Sequence, residues 1–152
     1  MRYFLDCEYN GFGGALLSLA LVPEDDGEEL YLAFACADPI DPWVERNVMP
    51  YIDQVPDSLR LPPMAREQAA HVLAMYLGQD PQPELLADWP TDIALLCDLL
   101  TFAPGRMVAL PEMRFRLLTL GRFSPAENSA VPHNALHDAR ALRDHVMNHL
   151  EI

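Results

Sequence analysis

The segment Arg2–Tyr9 has the sequence RYFLDCEY. Its aromatic residues, followed by the turn chemistry of residues 10–14 (NGFGG), predict a strand that ends in a turn. Residues 15–22 (ALLSLALV) predict a second strand, and a turn at residues 23–27 (PEDDG) leads to a third strand at residues 30–37. The chain is therefore predicted to begin with a three-stranded antiparallel meander.

After the meander, strands and helices alternate. The predicted elements are a helix at 42–48, a helix at 64–77, a strand at 84–88, a helix from Asp92 to about residue 102 with Thr91 as its cap, and a terminal helix at 134–150. Residues 113–123 fit either a strand or a helix. Together these elements predict one α/β domain over residues 1–152, built on a mixed five-stranded sheet flanked by helices.

The charge balance bears on the binding partners. The chain carries 10 Arg, no Lys and 23 acidic residues, for a formal net charge of −13. Residues 1–100 hold 18 acids and four Arg, whereas residues 101–152 hold five acids and six Arg. Charge alone disfavours a nucleic-acid partner, because phosphate binding depends on Lys and Arg. A solvated acidic surface accounts for the asymmetry, and metal-binding carboxylates beside an anion-binding half are the alternative.

The cysteines and the apolar runs bear on the compartment. Cys7, Cys36 and Cys97 each lie among apolar residues and are odd in number, so we expect reduced, buried thiols. The longest apolar run, residues 15–22, is shorter than the roughly 20 residues of a membrane span. We therefore expect a cytoplasmic protein with no membrane partner.

Asp6 and Glu8 lie two residues apart on the first predicted strand. Because side chains alternate along a strand, both carboxylates face the same way. A solvated strand end explains the pair without a function. A divalent cation is the alternative, since hard oxygen ligands suit Mg²⁺ or Mn²⁺.

Two further motifs carry acids at predicted helix starts. Asp92 follows the strand that ends at Asp88, and helix capping alone explains an Asp there. His133 and Asp138 open the terminal helix. An acid favoured by the helix dipole beside an incidental His is one interpretation. A His general base close to a metal-binding Asp is the other.

In their order along the chain, these motifs resemble those of the DEDD superfamily of 3′–5′ exonucleases, in the branch with a His general base. The resemblance covers nearly the whole chain. Residues 4–11 (FLDCEYNG) resemble the first family motif, and residues 133–139 (HNALHDA) resemble the third. The middle motif departs from the family pattern, because Asp88 stands where the family has Asn, four residues before Asp92. This departure adds a fifth carboxylate near the expected site, which either lies outside the ligand set or weakens the selectivity for the metal. The compact chain is most similar to a bacterial exoribonuclease-like branch.

The resemblance implies a ribonuclease-H-like fold and a two-metal hydrolase for the terminal phosphodiesters of single-stranded RNA or short oligonucleotides, releasing nucleoside monophosphates. It implies two Mg²⁺ or Mn²⁺ ions per site. Asp6 would bridge both ions, Glu8 and Asp138 would hold the ion that activates water, and Asp92 would support the second. His133 would be the general base.

The resemblance also implies a substrate-binding set. The expected contacts to the terminal nucleotide are Tyr9, Asn10, Gly11 and Phe12. Apart from the resemblance, Arg140 is the candidate phosphate contact because it follows Asp138 by two residues, and ordinary surface placement is the alternative. Phe12 either stacks on a base or packs on its own strand, and both interpretations stay open. Four other large side chains are expected in the core: Trp43, Met49, Met75 and Trp89.

Three alternatives remain at this point. The first is a DNA-directed 3′–5′ exonuclease, and the second is a metal- or nucleotide-binding module of the same fold without turnover. The third is an α/β interaction protein whose acids lie on its surface. Family analogy also allows a homodimer.

Overall fold

Strand β1 (Arg2–Tyr9) lies in the middle of the sheet in the computed structural model, which describes residues 1–149. Its side chains from Tyr3 to Leu5 are all buried, because helices cover both faces of this strand. β1 pairs antiparallel with β2 (Leu16–Pro23) and parallel with β4 (Glu84–Ala87). This central strand carries the first acidic motif.

Two outer strands complete the sheet. β3 (Leu30–Ala33) pairs antiparallel with β2, and β5 (Arg114–Leu117) pairs parallel with β4, in the order β3-β2-β1-β4-β5. The α-helices are α1 (Pro42–Asn47), α2 (Arg66–Leu77), α3 (Pro90–Leu100), α4 (Pro125–Asn128) and α5 (Ala135–His149). Short 3-10 turns occupy Met49–Tyr51 and Asp57–Leu59.

The sheet has an apolar layer on each face. Leu5 and Leu85 point to one face and pack in a cluster with side chains of α2 and α3. Phe4 and Leu86 point to the other face and pack in a cluster that includes Leu142 of α5. The expected α/β architecture, a five-stranded mixed sheet flanked by helices, is confirmed. The alternation also decides that Asp6, two residues after Phe4, lies on the α5 face.

Several boundaries differ from the expected ones. The third strand ends at Ala33 instead of residue 37, where the chain turns away towards α1. α3 begins at Pro90, so Thr91 lies inside the helix and the prediction that it caps the helix is wrong. Proline suits the first helical position because a backbone N–H at that position would have no partner within the helix. Residues 114–117 form a strand, β5, which is one of the two edge strands, and the predicted end of the terminal helix at residue 150 lies outside the described residues.

Two expectations about burial are also corrected. Cys7 is buried as expected, but Cys36 is only half-buried and Cys97 is exposed. Trp43, Trp89 and Met75 are exposed rather than in the core, whereas Met49 is half-buried against an apolar cluster. Within residues 1–149, no helix combines the length and apolar character that crossing a membrane requires.

Candidate metal centre

The site forms where the carboxyl ends of β1 and β4 meet the starts of α3 and α5. A cavity of about 740 Å³ opens there. It is lined by all four acids of the sequence motifs and by His133; the acids are Asp6, Glu8, Asp92 and Asp138. Three segments that are far apart in sequence therefore converge on one cavity.

The two acids of β1 reach the cavity because of strand alternation. Asp6 and Glu8 share the face of β1 that packs on α5, while Cys7 between them points into the opposite layer. Oδ2 of Asp6 is buried and has no hydrogen-bond partner within residues 1–149. Burying a carboxylate oxygen without a hydrogen-bond donor costs free energy, and a bound cation or a proton on this oxygen would remove that cost.

The side chain of Asn134 caps the start of α5. It accepts hydrogen bonds from the backbone N–H of Leu136 (3.1 Å) and of His137 (3.4 Å). His133, immediately before the cap, has a φ of 61°, the left-handed conformation that non-glycine residues rarely adopt. Its N–H donates to Oδ2 of Asp138 at 3.2 Å, while Oδ1 of Asp138 is buried and lacks a partner among the described residues. This turn brings the imidazole and the carboxylate together.

The start of α3 supplies the fourth acid. Because the helix begins at Pro90, Asp92 lies in the first turn and is only 3% exposed. Cys7 of β1 contacts this turn, with its Sγ 3.8 Å from the carbonyl oxygen of Asp92. The packing of α3 on β1 thus holds the Asp92 carboxylate at the sheet.

The ligand atoms fall into two groups, each with all its atoms within 4.8 Å of one another. The first group is Glu8, His133 and Asp138, and the second is Asp6, Asp88 and Asp92. We call them the histidine group and the triple-aspartate group. Oxygen-rich sets of this kind suit hard divalent cations, so both groups could hold a metal ion.

Burial and mutual repulsion raise the pKa values of these acids. Burial raises the pKa of Glu8 to about 8, with a further contribution from the charge of Asp138. Burial also raises the pKa of Asp92 to about 8, to which the charge of Asp88 adds. The pKa of Asp6 is raised well above its ordinary value by burial and then by the charge of Asp92. Without a cation, several of these carboxyls therefore keep protons near neutral pH.

Burial shifts the pKa values of Asp138 and His133 in opposite directions. Burial raises the pKa of Asp138 to about 6, opposed by hydrogen bonds to Ser129 and His133. Burial lowers the pKa of His133, so its imidazole is neutral at pH 7 and one ring nitrogen can accept a proton. The ring packs edge-on against Trp43, with 4.9 Å between ring centroids.

A scan against protein-family models found no match. A search of curated proteins found no significant match either.

The predicted substrate contacts divide into two sets. Tyr9, Gly11 and Phe12 line the cavity, and the Phe12 ring is 88% exposed. Asn10 does not line it; its side chain bonds the carbonyl oxygen of Pro39 (2.9 Å) and accepts from the N–H of Asp41 (2.7 Å). It fixes the turn that carries its neighbours.

Arg140 does not reach the cavity. Its guanidinium donates to both carboxylate oxygens of Glu29, at 2.8 and 2.5 Å. Arg140 follows Asp138 by two residues, about 200° around the helix, so the two side chains leave α5 in different directions. The structure thus separates Arg140 from the predicted metal ligands and from Tyr9, Gly11 and Phe12.

Sequence reasoning missed several lining residues. Trp43 and Trp89 line the cavity although they were expected in the core, and Asp41 and Ser124 were not singled out. Asp88, expected as a fifth carboxylate near the site, belongs to the triple-aspartate group. The position of Trp89 between Asp88 and Pro90 was the available signal, because a residue joining a strand end to a helix start lies at the edge of the sheet.

A second cavity, bordered by the starts of β2 and α2 and by the later part of α3, lacks such groups. It measures about 580 Å³ and is lined mainly by apolar side chains beside the Arg66–Asp98 ion pair, whose charged atoms are 2.7 Å apart. Neither group of candidate metal ligands found within residues 1–149 touches it.

Proposed function

We propose that this chain is a metal-dependent 3′–5′ exonuclease with a ribonuclease-H-like fold and a His general base, acting on single-stranded RNA or short oligonucleotides. One observation carries the proposal: five residues chosen from three separate motifs converge on a single cavity and divide into two ligand groups. Surface decoration, as in a plain interaction protein, gives no reason for that convergence.

The donor set fits two divalent cations. Unpartnered buried oxygens of Asp6 and Asp138, one in each group, are the atoms that a cation would satisfy within the described part of the chain. Glu8 and Asp138 would hold one ion beside His133, and Asp6 and Asp92 would hold the other. The ligand atoms of Asp6 group with those of Asp88 and Asp92 and not with those of Glu8 and Asp138, so Asp6 is assigned to one ion instead of bridging both. Bound Mg²⁺ or Mn²⁺ supplies charge stabilisation for the attacking and leaving oxygens of a phosphodiester and lowers the pKa of water.

His133 is the proposed general base. Its neutral imidazole accepts the proton of the attacking water, since its pKa is lowered by burial and one ring nitrogen is free of a proton at pH 7. The left-handed backbone at His133 and the edge contact with Trp43 restrict where the ring can lie. Both features pre-position the base before substrate arrives.

Short substrates follow from the charge and shape of the site. A net charge of −13 disfavours a long grip on a phosphate backbone. Three exposed aromatic side chains border the cavity instead: Phe12, Trp43 and Trp89. Stacking of bases on such rings is tolerant of sequence and independent of surface Arg. The 3′-terminal nucleotide would therefore be held by stacking and by the cations.

The test is a 5′-labelled single-stranded RNA incubated with Mn²⁺ or Mg²⁺. We expect stepwise shortening from the 3′ end that EDTA stops. Asp6→Asn and His133→Ala should lose most of the activity, whereas His71→Ala, which changes an exposed His on α2, should retain it. Full activity of Asp6→Asn would refute the site.

The same assay separates the alternatives. Faster shortening of matched DNA would favour a DNA-directed exonuclease. Mn²⁺ binding without shortening of either polymer would favour a binding module without turnover. The homodimer stays a prediction, which light scattering on the purified chain tests.

A further inference from the structure

Asp88 lies where the register of the sheet sets it beside Asp6. The parallel pairing of β1 and β4 matches Tyr3 with Leu85 and Phe4 with Leu86. Continued by two residues, this register brings Asp88 level with Asp6, on the same face of the sheet. Their carboxylate oxygens and one of Asp92 lie within 4.8 Å of one another.

Nothing in the described lining of the cavity compensates these three charges. The cavity contains no Arg among residues 1–149, and the chain has no Lys. Asp92 is 3% exposed, and the buried Oδ2 of Asp6 has no partner among those residues. Three carboxylates at this separation repel one another strongly, and a cation between them removes the repulsion.

We propose that Asp88 is a third carboxylate ligand of the triple-aspartate group and makes this group the tighter of the two cation sites. The inference rests on the metal centre of the proposed function. Around one divalent cation, Asp6, Asp88 and Asp92 leave a net charge of −1, whereas Glu8 and Asp138 with a neutral His133 leave none. Ligand charge is a main determinant of affinity at oxygen sites. The triple-aspartate group therefore retains its cation in the absence of substrate.

The test compares Asp88→Asn with a matched control, Asp41→Asn. Asp41 lines the same cavity but belongs to neither ligand group. Its carboxylate caps α1 by accepting from the N–H of Trp43 (2.8 Å) and of Val44 (3.3 Å), and Asn caps a helix equally well. Both variants remove one negative charge and keep the side-chain shape.

The measurement is a Mn²⁺ titration of the whole chain, with free Mn²⁺ followed by electron paramagnetic resonance. The wild type should bind two ions with different affinities. Asp88→Asn should weaken the tighter site roughly tenfold or more and leave the weaker site within about twofold, as expected for loss of a ligand or its close support. Asp41→Asn should change neither site by more than about twofold, because Asp41 belongs to neither ligand group and its carboxylate is used in the cap of α1.

Varying the ionic strength distinguishes direct coordination by Asp88 from a long-range effect of its charge. At 1 M salt the screening length falls to about 3 Å, so a long-range effect disappears while a contact effect persists. The ratio of wild-type to Asp88→Asn affinity should stay at about tenfold in high salt. A ratio that collapses to one, or equal losses in the two variants, would overturn the proposal.

Other outcomes distinguish failure of this inference from failure of the proposed function. If the wild type binds Mn²⁺ and shortens RNA while Asp88→Asn binds both ions equally well, only the role of Asp88 is wrong. If the wild type binds no Mn²⁺, the metal centre fails and the inference fails with it. Thermal melting of the metal-free variants controls for folding, and Asp88→Ser provides a second substitution, with the same expected loss at the tighter site.

Discussion

The backbone N–H of His133 donates to the Asp138 carboxylate at 3.2 Å, so the proposed base and a proposed metal ligand are fixed to each other by the backbone itself. The bond uses one oxygen, Oδ2, and leaves Oδ1 buried without a partner in the described chain. One carboxylate thus shapes the turn before α5 and presents an oxygen to the cavity.

Asp138→Asn should separate these two roles. The amide oxygen can still accept from His133 N–H, so we expect the metal-free variant to melt at or above the wild-type temperature. Mn²⁺ at 100 times the wild-type Kd stabilises by about 2.7 kcal/mol per site, and the variant should lose most of this for one site. Asp144→Asn, which changes an exposed acid on the same helix, is the control. A variant that Mn²⁺ stabilises as much as the wild type would contradict the assignment of Asp138 as a ligand.

The metal-free protein should become less stable as the pH rises from 5 to 8. The pKa values of Glu8 and Asp92 are raised to about 8, and that of Asp138 to about 6, whereas carboxyls in the unfolded chain titrate near pH 4. Across this window the folded state holds protons that the unfolded state has lost, so the free energy of unfolding falls with pH. Each such carboxyl contributes a slope of at most about 1.4 kcal/mol per pH unit.

Denaturant unfolding at pH 5, 6, 7 and 8 in EDTA measures this slope. Cations bind the deprotonated carboxylates, so the stabilisation by Mn²⁺ should grow over the same range. Glu8→Gln should flatten the slope in EDTA, and Glu67→Gln, at an exposed position on α2, should not. A free energy of unfolding that rises with pH in EDTA would be inconsistent with four buried, crowded carboxyls.

Phe12→Ala should weaken substrate binding without destabilising the protein. Its ring is 88% exposed and lies 6.4 Å from the ring of Tyr9, centroid to centroid, so its removal should change stability by less than about 0.5 kcal/mol. Loss of one base-stacking platform costs about 1–3 kcal/mol, which predicts a KM at least about fivefold higher. Steady-state kinetics and thermal melting together decide between stacking and packing. A lower melting temperature with an unchanged KM would favour packing on its own strand.

Arg140→Gln should affect stability rather than substrate binding. The guanidinium is committed to Glu29, and the partly exposed ion pair is worth about 1 kcal/mol or less. We expect a small loss in the free energy of unfolding and an unchanged KM for oligonucleotides. Glu29→Gln should reproduce the stability loss. A large increase in KM for Arg140→Gln alone would restore Arg140 as a phosphate contact.

Local patterns predicted the parts of the site that depend on neighbours in sequence. Strand alternation placed Asp6 and Glu8 on one face, and the spacing at the start of α5 brought His133 close to Asp138. The prediction that Arg140 contacts the substrate failed because it depends on which face of α5 is turned towards the cavity. The partner of Arg140 is Glu29, which precedes β3 and is far from Arg140 in sequence.

Non-local packing decided what the sequence left open. Residues 114–117 form a strand because β4 offers a parallel partner, and nothing in their exposed, Arg-rich pattern required this. Trp43 and Trp89 have large apolar side chains of the kind usually found in a core, but they are exposed at the rim of the cavity because no element covers them there. Side-chain burial depends on the whole arrangement of elements, and apolar character alone does not determine it.

The parallel pairing of β1 with β4 has a consequence for how the chain folds. Asp6 and Asp88 are 82 positions apart, and the whole β2–β3 hairpin and the helices α1 and α2 lie between them in sequence. Contacts of such long range are costly in chain entropy and form slowly. The three aspartates come together only when β1 pairs with β4, so a cation binds this group only in chains in which the two strands are paired. Release of bound Mn²⁺ should accordingly report the opening of this pair of strands, before the local helices are lost.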